Sequence, residues 1–159
     1  MIRNKKTESG QRGAALVEFA IGAAVFLTAM FGVLEGGRAL WTHNALADAA
    51  RRAARYATNQ PASTPPGVKT TGKNVGPSIT AIRNVAVYGT PTAGTTPLVT
   101  NLQPSNIDVQ YTGFGLGEGT VTVTITNYNF QFAVPIVGTT IQMPDYETTL
   151  TAENAGVMP

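Results

Sequence analysis

The chain has 159 residues, no cysteine and one histidine, with 43% hydrophobic but only 13% charged residues. This excludes disulfides, thiolate catalysis and Cys-based zinc sites, and the apolar share excludes a disordered chain. The net charge of +2 would suit a nucleic-acid binder if it formed a patch, but Arg3, Lys5, Lys6 and Arg12 all fall in the first thirteen residues against Glu8 alone. The remainder is slightly acidic, so the basicity is a terminal flank of the kind found beside membrane segments, and no nucleic-acid partner is expected.

From Ala14 to Leu34 the only charge is Glu18. A helix over these residues would be roughly 31 Å long at about 1.5 Å per residue, the thickness of a bilayer core. Cations before it and Glu35 after it place residues 1–13 in the cytoplasm and everything beyond residue 34 outside. A cleaved secretory signal would have a shorter apolar stretch ending at a small-residue site, whereas here the pattern continues as helix. Residues 35–58 are rich in Ala, Leu and Arg, with Leu46, Ala49, Ala50, Ala53 and Ala57 on one small apolar face. Arg51, Arg52 and Arg55 are placed to complement the helix dipole near its end, and Asn59-Gln60-Pro61 stops it. One helix from Ala14 to Thr58 is predicted, half of it a transmembrane span.

Residues 59–77 carry Pro61, Pro65, Pro66, Gly67, Gly72, Gly76 and Pro77 and read as a loop. Ser78 is placed to cap a short helix whose apolar face is Ile79, Ile82, Val85 and Ala86 and whose end is Gly89. Alternation over Ile107–Tyr111 and Val121–Ile125 predicts two strands joined through the glycine-rich stretch Gly113–Gly119, and Tyr146–Ala152 a last strand. The apolar parity switches from odd at Val121, Val123 and Ile125 to even at Tyr128, Phe130 and Phe132, which predicts a bulge or bend near Thr126–Asn127, or a strand covered on both faces. Phe132, Val134, Ile136, Val137, Ile141 and Met143 form an apolar connection read as ordinary core, with a subunit-contact loop as the alternative. The predicted fold is α+β: a long N-terminal helix packed with a short helix on a small antiparallel sheet, with residues 78–159 forming the outer domain.

The chemistry-bearing pattern is at the start. Gly13 follows Arg12 and precedes an apolar helix with Glu18 five residues on and Phe19 beside it. The competing Gly10 has Ala15 at that offset, so the spacing selects Gly13. This run resembles prepilins and pseudopilins of type IV pilus systems. With Gly32-Val33-Leu34-Glu35-Gly36-Gly37-Arg38-Ala39-Leu40-Trp41, Asn44-Ala45-Leu46 and Ala49–Ala57, it resembles more narrowly the TadE/TadF-like pseudopilins of the tight-adherence (Flp) pilus. The resemblance covers about the first third of the chain.

It implies a leader, residues 1–13, removed between Gly13 and Ala14 by a prepilin peptidase, and a role for Glu18 and Phe19 in assembly register. It also implies other pilins or pseudopilins and inner-membrane pilus assembly proteins as partners besides membrane lipid, in a bacterial inner membrane. Gly32 and Gly36 have the spacing that lets a second helix approach closely. That spacing also arises readily by chance in so Gly- and Ala-rich a segment.

Nothing points to an enzyme or a cofactor. His43 has no partner at ligand or triad spacing, and Asp145 and Glu147 are too isolated for paired-acid chemistry. The alternating glycines at 113, 115, 117 and 119 lack the Lys-Ser/Thr ending of a phosphate loop. Two other readings remain: an uncleaved single-span protein with a partner-binding outer β domain, and a tethered envelope hydrolase, which the shortage of His, Cys and paired acids disfavours.

Overall fold

The computed structural model describes residues 6–134 and 139–152. The elements in chain order are helix α1 (Lys6–Thr58), strand β1 (Thr70–Lys73), helix α2 (Ile79–Tyr88), a 3-10 turn (Pro104–Asn106), and strands β2 (Ile107–Gly115), β3 (Glu118–Ile125), β4 (Asn129–Gln131), β5 (Thr140–Gln142) and β6 (Tyr146–Thr151). Strands β1-β2-β3-β6 form an antiparallel sheet in that order, and β4-β5 a separate two-stranded one. The fold is α+β, as expected.

Helix α1 ends at Thr58, as its sequence predicts, but begins eight residues before Ala14. The apolar periodicity used to place its start begins only at Ala14. Lys6, Glu8, Gln11 and Arg12 are themselves good helix formers, so propensity carries the helix back into the leader. Residues 1–5 of that leader lie outside the described residues.

The outer half of α1 lies on the sheet, packing against β3, β6 and α2. Its small face is fully buried: Leu46, Ala49, Ala50, Ala53, Ala54 and Ala57 are all at 0% exposure. Side chains mostly this short let the helix backbone sit close over β3 and β6, and Val109, Tyr111, Val121 and Val123 share the buried side of the sheet because Tyr111 pairs with Val121 and Val109 with Val123. The cations are used differently from expectation. Only Arg55 lies in α1's last turn. Arg51 pairs with Asp48 at 2.9 Å, and Arg52 reaches across to donate to the Val85 and Ala86 carbonyls at 3.2 and 3.4 Å. It thus brings a cation to the C-terminal turn of α2, sharing the Val85 carbonyl with the Gly89 N–H.

Helix α2 buries Ile79, Ile82, Val85 and Ala86 and ends at Gly89 in the left-handed conformation, φ 80°. Ser78 occupies the cap position without capping: its hydroxyl donates to the Pro61 carbonyl at 2.7 Å and ties the loop after α1 to the start of α2.

The stretch expected to be a loop, residues 59–77, contains strand β1. β1 stops where Asn74, at φ 56°, closes the edge: its side-chain oxygen accepts the Val109 N–H, and its side-chain NH2 donates to Asp108, both at 2.8 Å. Burial raises the Asp108 pKa, but hydrogen bonds from Lys73 and Asn74 and the charges of Lys73 and Arg83 outweigh it and hold the carboxyl below its usual value.

The glycine run is paired strand apart from a tight turn at Leu116–Gly117. One extra residue on β2 between Thr112 and Gly115 makes a bulge, and the Gly113 N–H donates to Thr71 Oγ1. A side chain at Gly119, φ 80°, would meet the Gly113 carbonyl oxygen at 2.2 Å, so that position needs glycine.

The parity switch is a bend. Asn127, φ 55°, turns the chain out of the main sheet after Ile125, and β4 starts a second sheet beside α1. The apolar connection that follows is only partly core. Phe132, Val134 and Met143 are half-buried, while Ile141 is 50% exposed, because β5 has β4 as its only strand neighbour. Ile136 and Val137 lie outside the described residues.

Candidate functional site: the long helix and its junction

Gly13, Ala14, Glu18 and Phe19 all lie on α1 with no contact from the outer domain. A side chain at Gly13 would meet no atom within 4 Å, Glu18 is exposed, and Phe19 is 74% exposed. Ala14 and Glu18 stand one turn apart on the same face, about 6 Å along the axis. Leu16, Val17, Ile21, Val25 and Phe26 extend the bare apolar surface. Gly32 and Gly36 are also one turn apart. A methyl group added to either would meet no atom within 4 Å, so that face is open to a close neighbour. The helix is long and apolar enough to cross a membrane, and none of its most apolar 18-residue window is buried by the rest of the molecule. An apolar surface of this extent, uncovered by its own domain, belongs against lipid or other helices.

The junction with the outer domain is built around a residue that sequence reasoning treated only as the end of the span. Glu35 is 3% exposed. Its carboxylate takes a hydrogen bond from the Arg38 guanidinium one turn on and another from the backbone N–H of Ala133 at 3.3 Å. Arg38 in turn lies over the Phe130 ring, 5.2 Å from its centre. Further along, His43 Nδ1 and the Tyr146 hydroxyl are 2.8 Å apart, with the rings edge to face. His43 therefore does have a partner, a structural one that joins α1 to β6. A signal for Glu35 was available: an acid ending an apolar run, with Arg at the i+3 position, is a self-neutralising pair suited to burial. Its second partner, 98 residues away, left no local trace.

Residues 13–55 match the TadE-like protein family. This is a TadE-like helix. The match runs from Gly13 through the span, the Glu35–Arg38 junction and the buried alanine face as far as Ala54, and stops three residues short of the end of α1, before Ala57. No curated protein and no solved structure matches the chain. The TadE-like segment thus holds every residue singled out for processing, register or helix packing, and the sheet that packs on it lies outside the match.

Two buried groups elsewhere show ordinary packing rather than chemistry. The Tyr111 hydroxyl is buried with no hydrogen-bond partner among the described residues, and burial pushes its pKa up to about 12. Tyr128, also raised by burial, donates to the Thr100 carbonyl at 2.7 Å. Among the described residues no group of three or more His, Asp or Glu side chains is placed to hold a metal ion.

Proposed function

We propose that this chain is a minor pilin or pseudopilin, cut between Gly13 and Ala14 by a prepilin peptidase and taking part in assembly of a tight-adherence pilus or related secretion machinery. The observation that carries the reading is the position of Glu18: five residues after Gly13, on a bare apolar helix inside the TadE-like match. The candidate membrane span and the family fit a membrane-anchored, pilus-related role. The finer placement, an inner membrane with a cytoplasmic N-terminus, rests on the basic flank of residues 1–13.

The physical logic is charge pairing. A carboxylate inside a span costs about 3 kcal/mol at mid-bilayer and less near the interface. Cleavage creates an amine on Ala14, and Glu18 of a neighbouring copy or partner pilin can neutralise it, which offsets the burial of both charges and fixes the axial register of the two helices. Phe19 and the Gly32–Gly36 face supply contact area. One observation favours the alternative, an uncleaved single-span anchor: α1 runs unbroken through the Gly13–Ala14 bond. Against it, Gly10 and Gly13 are each about 1 kcal/mol less helix-favouring than Ala, so this is a turn that a peptidase can open at low cost.

Glu18→Gln in the full chain tests the mechanism. Membrane insertion and leader removal should persist, while crosslinking to partner pilins falls. Undiminished crosslinking would remove Glu18 from the mechanism.

A further inference from the structure

Single contacts along α1 give the second sheet a height. Tyr146, which opens β6 of the main sheet, meets His43, Phe130 of β4 lies over Arg38, and Ala133, two residues after β4, donates to Glu35. From Phe130 to Ala133 the chain therefore runs down the helix towards the span. If Leu34 marks the edge of the hydrocarbon, Glu35 is about 1.5 Å beyond it and Arg38 about 6 Å. The headgroup layer is roughly 5–7 Å deep on each side. The β4–β5 sheet is thus at headgroup height, with no stalk between domain and membrane.

Its composition suits that position. Between Glu118 and Asp145 the sequence has no Asp, Glu, Lys or Arg, so both strands of this sheet are free of charge. All three residues of β5 are exposed, Ile141 at 50%. Phe132, whose N–H donates to the Thr139 carbonyl, and Val134 are only half-covered. An uncharged edge strand that exposes an apolar side chain, with no cover among the described residues, suits the boundary of headgroups and acyl chains.

We infer that the β4–β5 sheet is a second membrane contact, resting on the lipid headgroup layer and orienting the helix and outer domain together on the membrane. The inference depends on the reading of residues 14–34 as a span. It commits to lipid as the occupant, because the Ala133–Glu35 bond holds the sheet at the level where the helix leaves the bilayer.

The chain has no cysteine, so single labels can be placed without background. Ile141→Cys, Phe26→Cys and Leu116→Cys, each carrying a polarity-sensitive fluorophore, are reconstituted as full chains in phosphatidylethanolamine–phosphatidylglycerol vesicles. Nitroxide lipids carry the quencher either near the headgroup or deep in the acyl chain. Leu116 lies in the turn beside Asn59 and Pro61, beyond the far end of α1. The label at 141 should lose most of its emission to the shallow nitroxide, the label at 26 to the deep one, and the label at 116 to neither. Quenching at 26 without quenching at 141 would overturn the second contact and leave the span intact. A blue-shifted but unquenched label at 141 would mean that another protein copy covers the strand, and would overturn it equally. No quenching at 26 would remove the span and the second contact with it. Thr140→Cys, on the same exposed strand, repeats the measurement at a site whose substitution disturbs no packing.

Discussion

The two halves of α1 share small residues but differ in charge and side-chain size, and they stand in opposite environments. Both are rich in alanine and glycine, and both present an apolar face. In the outer half that face is buried against the sheet and α2, with six side chains at 0% exposure. In the inner half Leu16, Val17, Phe19, Ile21, Val25 and Phe26 are all exposed at 60% or more, and none of the described residues covers them. One continuous helix therefore has a stability role at one end and an uncovered apolar surface at the other. Side-chain size marks the difference: alanines where a sheet must approach closely, and bulky Leu, Val, Ile and Phe where the neighbour is lipid or another helix.

Substitutions should separate the halves. Leu46→Ala removes a fully buried side chain and should lower the unfolding free energy of the outer domain by about 2–5 kcal/mol. Phe19→Ala should leave that unfolding unchanged in the same detergent denaturation assay. An equal loss from both would mean that the inner half also packs on the domain.

The junction between the halves comes next. Glu35→Ala leaves the Ala133 N–H without its acceptor and Arg38 without its partner, and should cost about 1–3 kcal/mol. Hydrogen exchange should accelerate at Ala133 and Phe132 and stay slow in β2 and β3. A uniform change would place the effect in the whole domain rather than in the clasp.

The smallest effect tests the sheet side. Tyr111→Phe deletes a buried hydroxyl that has no partner among the described residues and should raise the melting temperature, by the equivalent of about 1 kcal/mol. It should also remove a pH dependence. The folded hydroxyl titrates at about 12 against 10 for the free side chain. Between these values the unfolded chain gives up its proton while the folded chain keeps it. Stability is therefore full below pH 10 and falls as the pH rises towards 12. The Phe variant should lack this component of the alkaline loss.

How much of this was legible in the sequence depends on how local each cause is. The end of α1, the α2 face, the two long strands and the bend at Asn127 follow from periodicity and turn chemistry within a few residues. Strand β1 was hidden because Thr70–Lys73 has no alternating apolar pattern; it is held by backbone pairing to β2 and closed by Asn74. The early start of α1 was hidden because helix propensity continues past the apolar pattern used to place it. The burial of Glu35, the redirection of Arg52 to α2 and the exposure of Ile141 all depend on partners far away in the chain. Gly13, Glu18 and Phe19, by contrast, stand out by their spacing and take their roles from the resemblance to pseudopilins, and the fold adds only that none of the described residues covers them.

The central claim is tested most directly by the intact mass of the native chain recovered from membranes of cells that carry the complete pilus system. A chain beginning at Ala14, with residues 1–13 absent, is the predicted result. A chain that retains Arg12 and Gly13 under those conditions would contradict the pseudopilin reading and leave an uncleaved membrane anchor.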